Sequence, residues 1–153
     1  EYATMTFDVL LDQGAYFELK RHRMMTQTPQ TLNTGLGFAL PEKIITAGLE
    51  QNFREAMQMA AETYARIAAH HPAAAGYIVP NAYNRRVLLQ TNLRSAIHLL
   101  QLRAAGNAHF AIRRLARQME GQIRQAFPIL SQSIRIEGGE SVETITQAHF
   151  AST

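Results

Sequence analysis

Two segments rich in arginine and histidine carry the side chains best suited to chemistry. The first is Arg21-His22-Arg23, followed by a polar stretch containing Thr26, Thr28 and Thr31. The second runs from Asn92 through Arg94, Ser95 and His98 to Arg103, and continues as Asn107-Ala108-His109-Phe110-Ala111-Ile112-Arg113. On a helix, Arg94 and His98 are four apart and share a face. Arg103 falls in that helix's last turn, where the backbone dipole favours a cation. The guanidinium is a planar donor fork that suits phosphate and carboxylate, so an anionic ligand or partner is the expected chemistry. A plainer account also fits the spacing: Arg103 as a dipole partner only, Arg94 and His98 as a solvated pair, and the Arg-His-Arg triplet as an ordinary basic helix end.

The rest of the composition narrows the class. The chain has 153 residues, 46% hydrophobic and 18% charged, which suits one globular domain with a real core. No apolar run approaches the ~18 residues a membrane helix needs, and a cytoplasmic location is the default expectation. The opening Glu1-Tyr2-Ala3-Thr4 has neither an initiator Met nor a basic-then-apolar leader, which reads as a cut-out segment without a signal peptide. With no cysteine, this segment has no disulfide, thiolate metal site or Cys nucleophile. Thirteen of the fifteen basic residues are Arg; nine of them lie between Tyr77 and Arg135, where Glu120 is the single acid.

The elements that must position these residues follow from periodicity. Thr4 to Leu10 alternates polar and apolar and predicts a strand. Asp12 is placed to cap a short helix from Gln13 towards Arg21. Met24 to Gly37 predicts a long polar loop, and Gly37 to Pro41 a short extended piece. Leu49, Phe53, Met57, Ala60, Tyr64 and Ile67 recur every three or four residues and predict a core-facing helix from Thr46 to His70. His70-His71 lacks the spacing of metal ligands on one helix face and is expected at the surface. Tyr77 to Pro80 and Val87 to Leu89 predict one interrupted strand. Asn92 caps a helix from Leu93 to Arg103, and a last helix from Ala108 to Gln125 turns Ile112, Leu115, Met119 and Ile123 inward and Arg113, Arg117 and Arg124 outward. Residues 131–153 read as an extended tail after a domain of residues 1–130, and no internal repeat stands out. The fold class is α+β, with long helices against a small, mainly antiparallel sheet.

Taken together, the two segments resemble flavin-dependent thymidylate synthases. That family carries an RHRxxSxNExSxR motif and, later, an N-x-R-S-x-x-N/H-x-x-x-x-R stretch leading into an A-Q-x-E-I-R helix. The resemblance covers roughly residues 3 to 128, without the family's amino-terminal portion, and is most specific at Asn92, Arg94, Ser95, Leu102 and Arg103. It implies a thymidylate-synthase-complementing-protein-like fold and a homotetramer whose FAD sites are built from several subunits. It also implies transfer of a one-carbon unit from methylenetetrahydrofolate to dUMP, giving dTMP, with NADPH recharging the flavin. By the same resemblance, Arg21, His22, Arg23, Asn92, Arg94 and His98 are cofactor-binding. Thr31 and Arg103 bind substrate, with Arg103 also catalytic, holding negative charge that develops on the pyrimidine. The resemblance implies no metal and no protein Cys attacking the base.

The departures from the family pattern are as specific as the matches. Thr26 stands for the first Ser, Thr28-Pro29 for Asn-Glu, Thr31 for the second Ser and Asn33 for the closing Arg. Gly76 occupies another position where the family places Arg. Asn107, His109 and Ala111 replace its His, Gln and Glu. Each lost phosphate-binding cation removes contacts worth about 1.5–3 kcal/mol, roughly tenfold to a hundredfold in affinity. Three functions are therefore open: an active synthase or part of a duplicated one; a degenerate copy serving assembly or regulation; and, last, a nucleic-acid module using Arg113, Arg117 and Arg124.

Overall fold

The computed structural model describes residues 2–136 and 138–151. Its sheet has three strands: β1 (Thr4–Asp12), β2 (Thr26–Pro29) and β3 (Asn84–Asn92). All pairing is antiparallel, in the order β1-β3-β2. Period-two alternation sends Phe7, Val9 and Leu11 of β1 and Val87, Leu89 and Thr91 of β3 to one buried face. Asp8, Leu10, Arg86, Leu88 and Gln90 point out the other side, where Arg86 grips both carboxylate oxygens of Asp8.

β1 and β3 each end in a side-chain cap and turn into a helix. Asp12 Oδ1 accepts from the Ala15 amide at 2.8 Å and starts α1 (Gln13–Leu19). Asn92 Oδ1 accepts from the Ser95 amide at 2.9 Å. Two further helices, α2 (Glu42–Thr46) and α3 (Glu50–Ala68), and the short α4 (Pro72–Ala75) intervene before α5 (Leu93–Arg103), which Asn92 caps. Because β1 pairs with β3 from Thr4↔Asn92 to Asp12↔Asn84, α1 and α5 leave opposite ends of the strand pair. The two strand–cap–helix units thus form an approximate twofold that sequence comparison within the chain does not reveal.

Both helices join the buried sheet face, and α6 (Phe110–Ala126) completes the core. Leu19, Leu99, Leu100, Ile112, Met119 and Ile123 are its largest fully buried side chains, with Val87, Leu89 and Ile145. Burial of each such Leu or Ile is worth about 1.5–3 kcal/mol, which makes this cluster the main source of stability.

Several elements differ from expectation, each for a local reason. The loop from Met24 contains β2, an edge strand of Thr-Gln-Thr-Pro whose polarity hides it and whose Pro29 is tolerated at the end of its pairing with Val87. Tyr77 to Pro80 is not strand: residues 76–78 form a 3-10 turn and β3 begins only at Asn84. The helix expected from Thr46 begins only at Glu50, after Gly48, whose φ of 71° only glycine adopts easily; the short α2 that ends at Thr46 was not expected. Of the α3 stripe, Met57 alone is buried; Phe53, Ala60 and Tyr64 are half-buried around Val79 and Tyr83, whose hydroxyl donates to the Met57 carbonyl at 2.6 Å.

The stretch read as an extended tail is partly helical. α7 (Val142–His149) is capped by Ser141, and Ile134, Ile145 and Phe150 enter the main core. Positions 137, 152 and 153 of that stretch lie outside the described residues. Eight helical residues with one buried Ile leave too little periodicity to read.

Candidate functional site

The end of α1 and one face of α5 enclose a cleft of about 590 Å³. Arg21, His22 and Arg23 line it from the segment leaving α1; Arg94, His98 and Arg103 line it from α5. Met24, Met25 and Leu102 supply apolar wall, and Ser95 a hydroxyl. The volume falls within the range of about 300–1,000 Å³ usual for small-molecule sites.

Local structure fixes the geometry. α1 stops at Leu19, and the Gln27 side-chain amide on β2 donates to the carbonyls of Leu19 (3.2 Å) and His22 (3.0 Å). This tie holds the Arg-His-Arg turn against the sheet. On α5 the i, i+4 relation of Arg94 and His98 puts both at the open mouth of the cleft, where both are exposed.

The inner end is tighter. Arg103 Nε donates to His22 Nε2 at 2.9 Å, and Arg103 Nη1 pairs with Glu18 Oε2 at 2.7 Å. His22 is only 8% exposed. Burial, then the Arg103 charge, then His98, whose ring centroid lies 6.2 Å away, push the His22 imidazole down from its usual 6.5 to about 4. It is therefore neutral near pH 7, and accepting at Nε2 places its proton on Nδ1. Glu18 is the residue sequence reasoning missed, although it is the sole acid between Asp12 and Glu42.

The cleft gathers six of the eight expected site residues. Asn92 stands apart as the α5 cap, its side-chain oxygen engaged by the Ser95 amide. Thr31 is exposed and does not line the cleft. Neither does Asn33, whose side chain closes an Asx turn by accepting from the Gly35 amide at 2.8 Å and donating to the Thr31 carbonyl at 3.0 Å. Gly76 lies beside this turn: a Cβ built there would meet the Leu32 carbonyl at 3.6 Å. Asn33 and Gly76, two of the positions that depart from the family pattern, thus lie near one another in a patch outside the cleft.

The outward arginine stripe expected on α6 holds at Arg124, which is exposed, but is corrected at Arg113 and Arg117 by the fold of the carboxy-terminal stretch. Arg113 is buried, donating to the Gly106 carbonyl at 2.8 Å and pairing with Glu140 at 3.2 Å. Arg117 bonds to Glu120 at 3.0 Å and to the Gly138 carbonyl at 2.6 Å. Arg124 bonds to Glu120 at 2.7 Å and to the Ser131 carbonyl at 3.2 Å. Guanidinium groups engaged this way offer no continuous stripe to a phosphate backbone. Among the described residues, no helix is long and apolar enough to cross a membrane.

Comparison with known proteins agrees with this geometry. The family described as "Thymidylate synthase complementing protein" matches residues 1–129. A UPF0159 protein of Chlamydia muridarum (strain MoPn / Nigg) is 41% identical over 128 residues, covering 84% of this chain and 24% of the relative. One from Thermoplasma acidophilum is 33% identical over 137 residues, covering 88% of this chain and 28% of the relative. The flavin-dependent thymidylate synthase of Thermococcus onnurineus is 29% identical over 137 residues, covering 80% of this chain and 55% of the relative. The chain spans about a quarter of the UPF0159 relatives' length, 24% and 28% in these two cases. With the family's two arginine-bearing segments meeting in one cleft and its sequence pattern matched along most of the chain, the protein belongs to the thymidylate synthase complementing protein family.

Proposed function

We propose that this chain is the flavin-binding part of a flavin-dependent thymidylate synthase, acting in the cytoplasm within a longer, oligomeric assembly. The observation that carries this reading is the cleft itself: Arg21, His22 and Arg23 meet Arg94, His98 and Arg103 across about seventy residues of sequence. A site with exposed guanidinium groups at its mouth and Met and Leu side chains along its wall suits a ligand with an anionic tail and a flat, largely apolar ring. FAD has that character, so the donor set fits it.

Bound FAD would supply redox chemistry, a hydride for turning the carbon donated by methylenetetrahydrofolate into the methyl group of dTMP, with NADPH as the reductant. The protein's own residues bind and orient. Arg21, Arg23 and Arg94 neutralise the cofactor's phosphates, and His98 and Ser95 offer polar contacts beside the ring. Arg103, fixed by His22 and Glu18, is aimed at the dUMP pyrimidine and holds negative charge as it develops there. In this reading the turn of Thr31 and Asn33, with Gly76, faces the cleft of another copy; none of the three lines its own chain's cleft.

A second reading, a copy that keeps the fold and flavin but turns over no dUMP, is favoured by the absence of cations at Asn33 and Gly76. One preparation of the full polypeptide separates the two. Flavin absorbance in the purified protein, reduced on Arg21→Ala, supports the cofactor assignment; undiminished flavin in that variant overturns the role of Arg21. Release of the pyrimidine C5 hydrogen from labelled dUMP supports catalysis, and a flavin-loaded protein that releases none supports the degenerate copy.

A further inference from the structure

A second cavity, of about 480 Å³, lies between the extended piece at residues 38–40, one face of α6 and the end of α7. It shares no lining residue with the arginine-rich cleft. Phe38, Leu40 and Phe150 give it apolar walls, and Arg114 of α6 lines it beside them. Its α7 side is built by Thr146, Phe150 and Ala151, which lie beyond the residues 1–129 that match the family. Backbone pairing holds that side in place. Pro41 and Phe150 form an antiparallel bridge, and the Ala151 amide donates to the Leu40 carbonyl at 3.1 Å.

Arg114 is half-buried, and its guanidinium carbon stands 3.5 Å from the centroid of the Phe150 ring. Among the described residues it makes no hydrogen bond and no ion pair, and none of its nitrogens is sealed in the interior. The other arginines of α6 differ: Arg113, Arg117 and Arg124 each hold a carboxylate. Burial pushes Arg114 below its ordinary pKa, with the charge of Asp12 acting the other way; Asp12 itself is engaged in capping α1. Arg54, the other cation of the lining, is exposed and paired with Glu50 at 2.8 Å. The cavity therefore carries one uncompensated positive charge, partly desolvated against an aromatic ring. Desolvation makes an unpaired charge costly and strengthens its attraction for an anion.

We propose that this cavity is a binding site for a small organic carboxylate, its anion held by Arg114 and its apolar body lying among Phe38, Leu40 and Phe150. The planar donor fork of a guanidinium matches a carboxylate with two parallel hydrogen bonds. The charge also matches. A phosphate monoester would bring a second negative charge that the lining leaves unanswered, since Arg54 is already committed to Glu50. The volume lies within the range of about 300–1,000 Å³ that small-molecule sites occupy. Because the two cavities share no residue, this site stands or falls independently of the flavin cleft.

Equilibrium dialysis of the full polypeptide with benzoate, its neutral isostere benzamide and phenyl phosphate tests the assignment. Wild type should bind benzoate at least about tenfold more tightly than benzamide, the effect of a charge-assisted hydrogen-bond pair, and more tightly than phenyl phosphate. Arg114→Gln should bind benzoate and benzamide within about twofold of each other. Arg114→Lys, which keeps the charge but not the fork, should fall between wild type and the Gln variant. An unchanged thermal midpoint verifies the fold of each variant. Arg21→Ala, which alters only the other cleft, should bind benzoate as wild type does. Equal binding of benzoate and benzamide by wild type, tighter binding of phenyl phosphate, or an undiminished preference for benzoate in Arg114→Gln overturns the proposal. Benzoate binding that survives Arg114→Gln but falls in Arg21→Ala assigns the carboxylate to the flavin cleft and overturns it equally, with the flavin reading left standing.

Discussion

His22 Nε2 accepts a 2.9 Å hydrogen bond from Arg103 Nε, joining two segments 81 residues apart in sequence. The bond exists only while the imidazole is neutral, because a protonated Nε2 has no lone pair to offer. It makes the protonation state of one buried ring a condition for the geometry of the cleft.

A pH dependence of stability follows. The His22 pKa is lowered from 6.5 to about 4 on folding, chiefly by burial, then by Arg103 and His98. Between those two values the unfolded chain binds more protons than the folded one, so stability falls as pH falls. The contribution is fully present above pH 6.5 and lost by about pH 4; at ~1.4 kcal/mol per unit it amounts to at most about 3.5 kcal/mol. Urea midpoints measured from pH 7.5 to 4 should drop more steeply for wild type than for His22→Gln, which can accept from Arg103 without titrating. Parallel curves for the two proteins would show that His22 does not titrate as described.

The two strand-end caps give a second expectation. Asp12→Ala and Asn92→Ala each remove the acceptor for one helix-start amide and should cost about 1 kcal/mol of stability. Asn92→Asp keeps the acceptor and should leave the thermal midpoint near that of wild type. Because the family resemblance also implies a cofactor contact for Asn92, Asn92→Asp separates the two roles. Flavin loss at unchanged midpoint places the cofactor at Asn92, and retained flavin leaves it a cap alone.

The sequence disclosed more of the cleft than of the frame around it. Arg21 to Arg23 and Arg94 to Arg103 were identifiable because motif spacing is local, and the approach of both to one cleft was an implication of family resemblance rather than of periodicity. Glu18 escaped because its partners, His22 and Arg103, are chosen by tertiary packing; only its isolation as an acid in a basic stretch hinted at it. β2 escaped because an edge strand of polar residues carries no apolar alternation. The burial of Arg113 escaped because a surface stripe and a buried ion-pair network have the same helical period; what distinguishes them is whether another element, here α7, covers the face.

That cover is itself testable. Arg113 donates to the Gly106 and Ala108 carbonyls and pairs with Glu140, which is 38% exposed on its side chain. Glu140→Gln should cost under about 1 kcal/mol, since the pair is partly solvated. Arg113→Ala strips the donor from two carbonyls at once and should cost about 2–3 kcal/mol by denaturant titration. Neither change should alter flavin retention, because neither residue lines the cleft. A comparable loss in both variants would mean that the ion pair, and not the carbonyl contacts, holds the α6–α7 connection.

The patch formed by Asn33 and Gly76 offers a gain-of-function test. The family places Arg at both positions, but this structure receives the two side chains unequally. Gly76 has φ −59° and ψ −21°, right-handed helical values that any residue adopts, and its nearest would-be neighbour stands 3.6 Å from a built Cβ. Gly76→Arg should therefore fold without strain and present a cation where the dUMP phosphate is proposed to sit. One restored charge-assisted contact should tighten dUMP binding by the flavin-loaded protein roughly tenfold. Asn33→Arg gains a similar cation but loses the Asx turn that bonds to the Gly35 amide and the Thr31 carbonyl; its loop loosens, and its gain should be smaller. Isothermal titration with dUMP and with uridine, which lacks the phosphate, reads the effect: the Gly76→Arg improvement should appear for dUMP alone. An equal improvement for uridine, or none for either, would mean that the patch does not meet the nucleotide phosphate in the assembled protein.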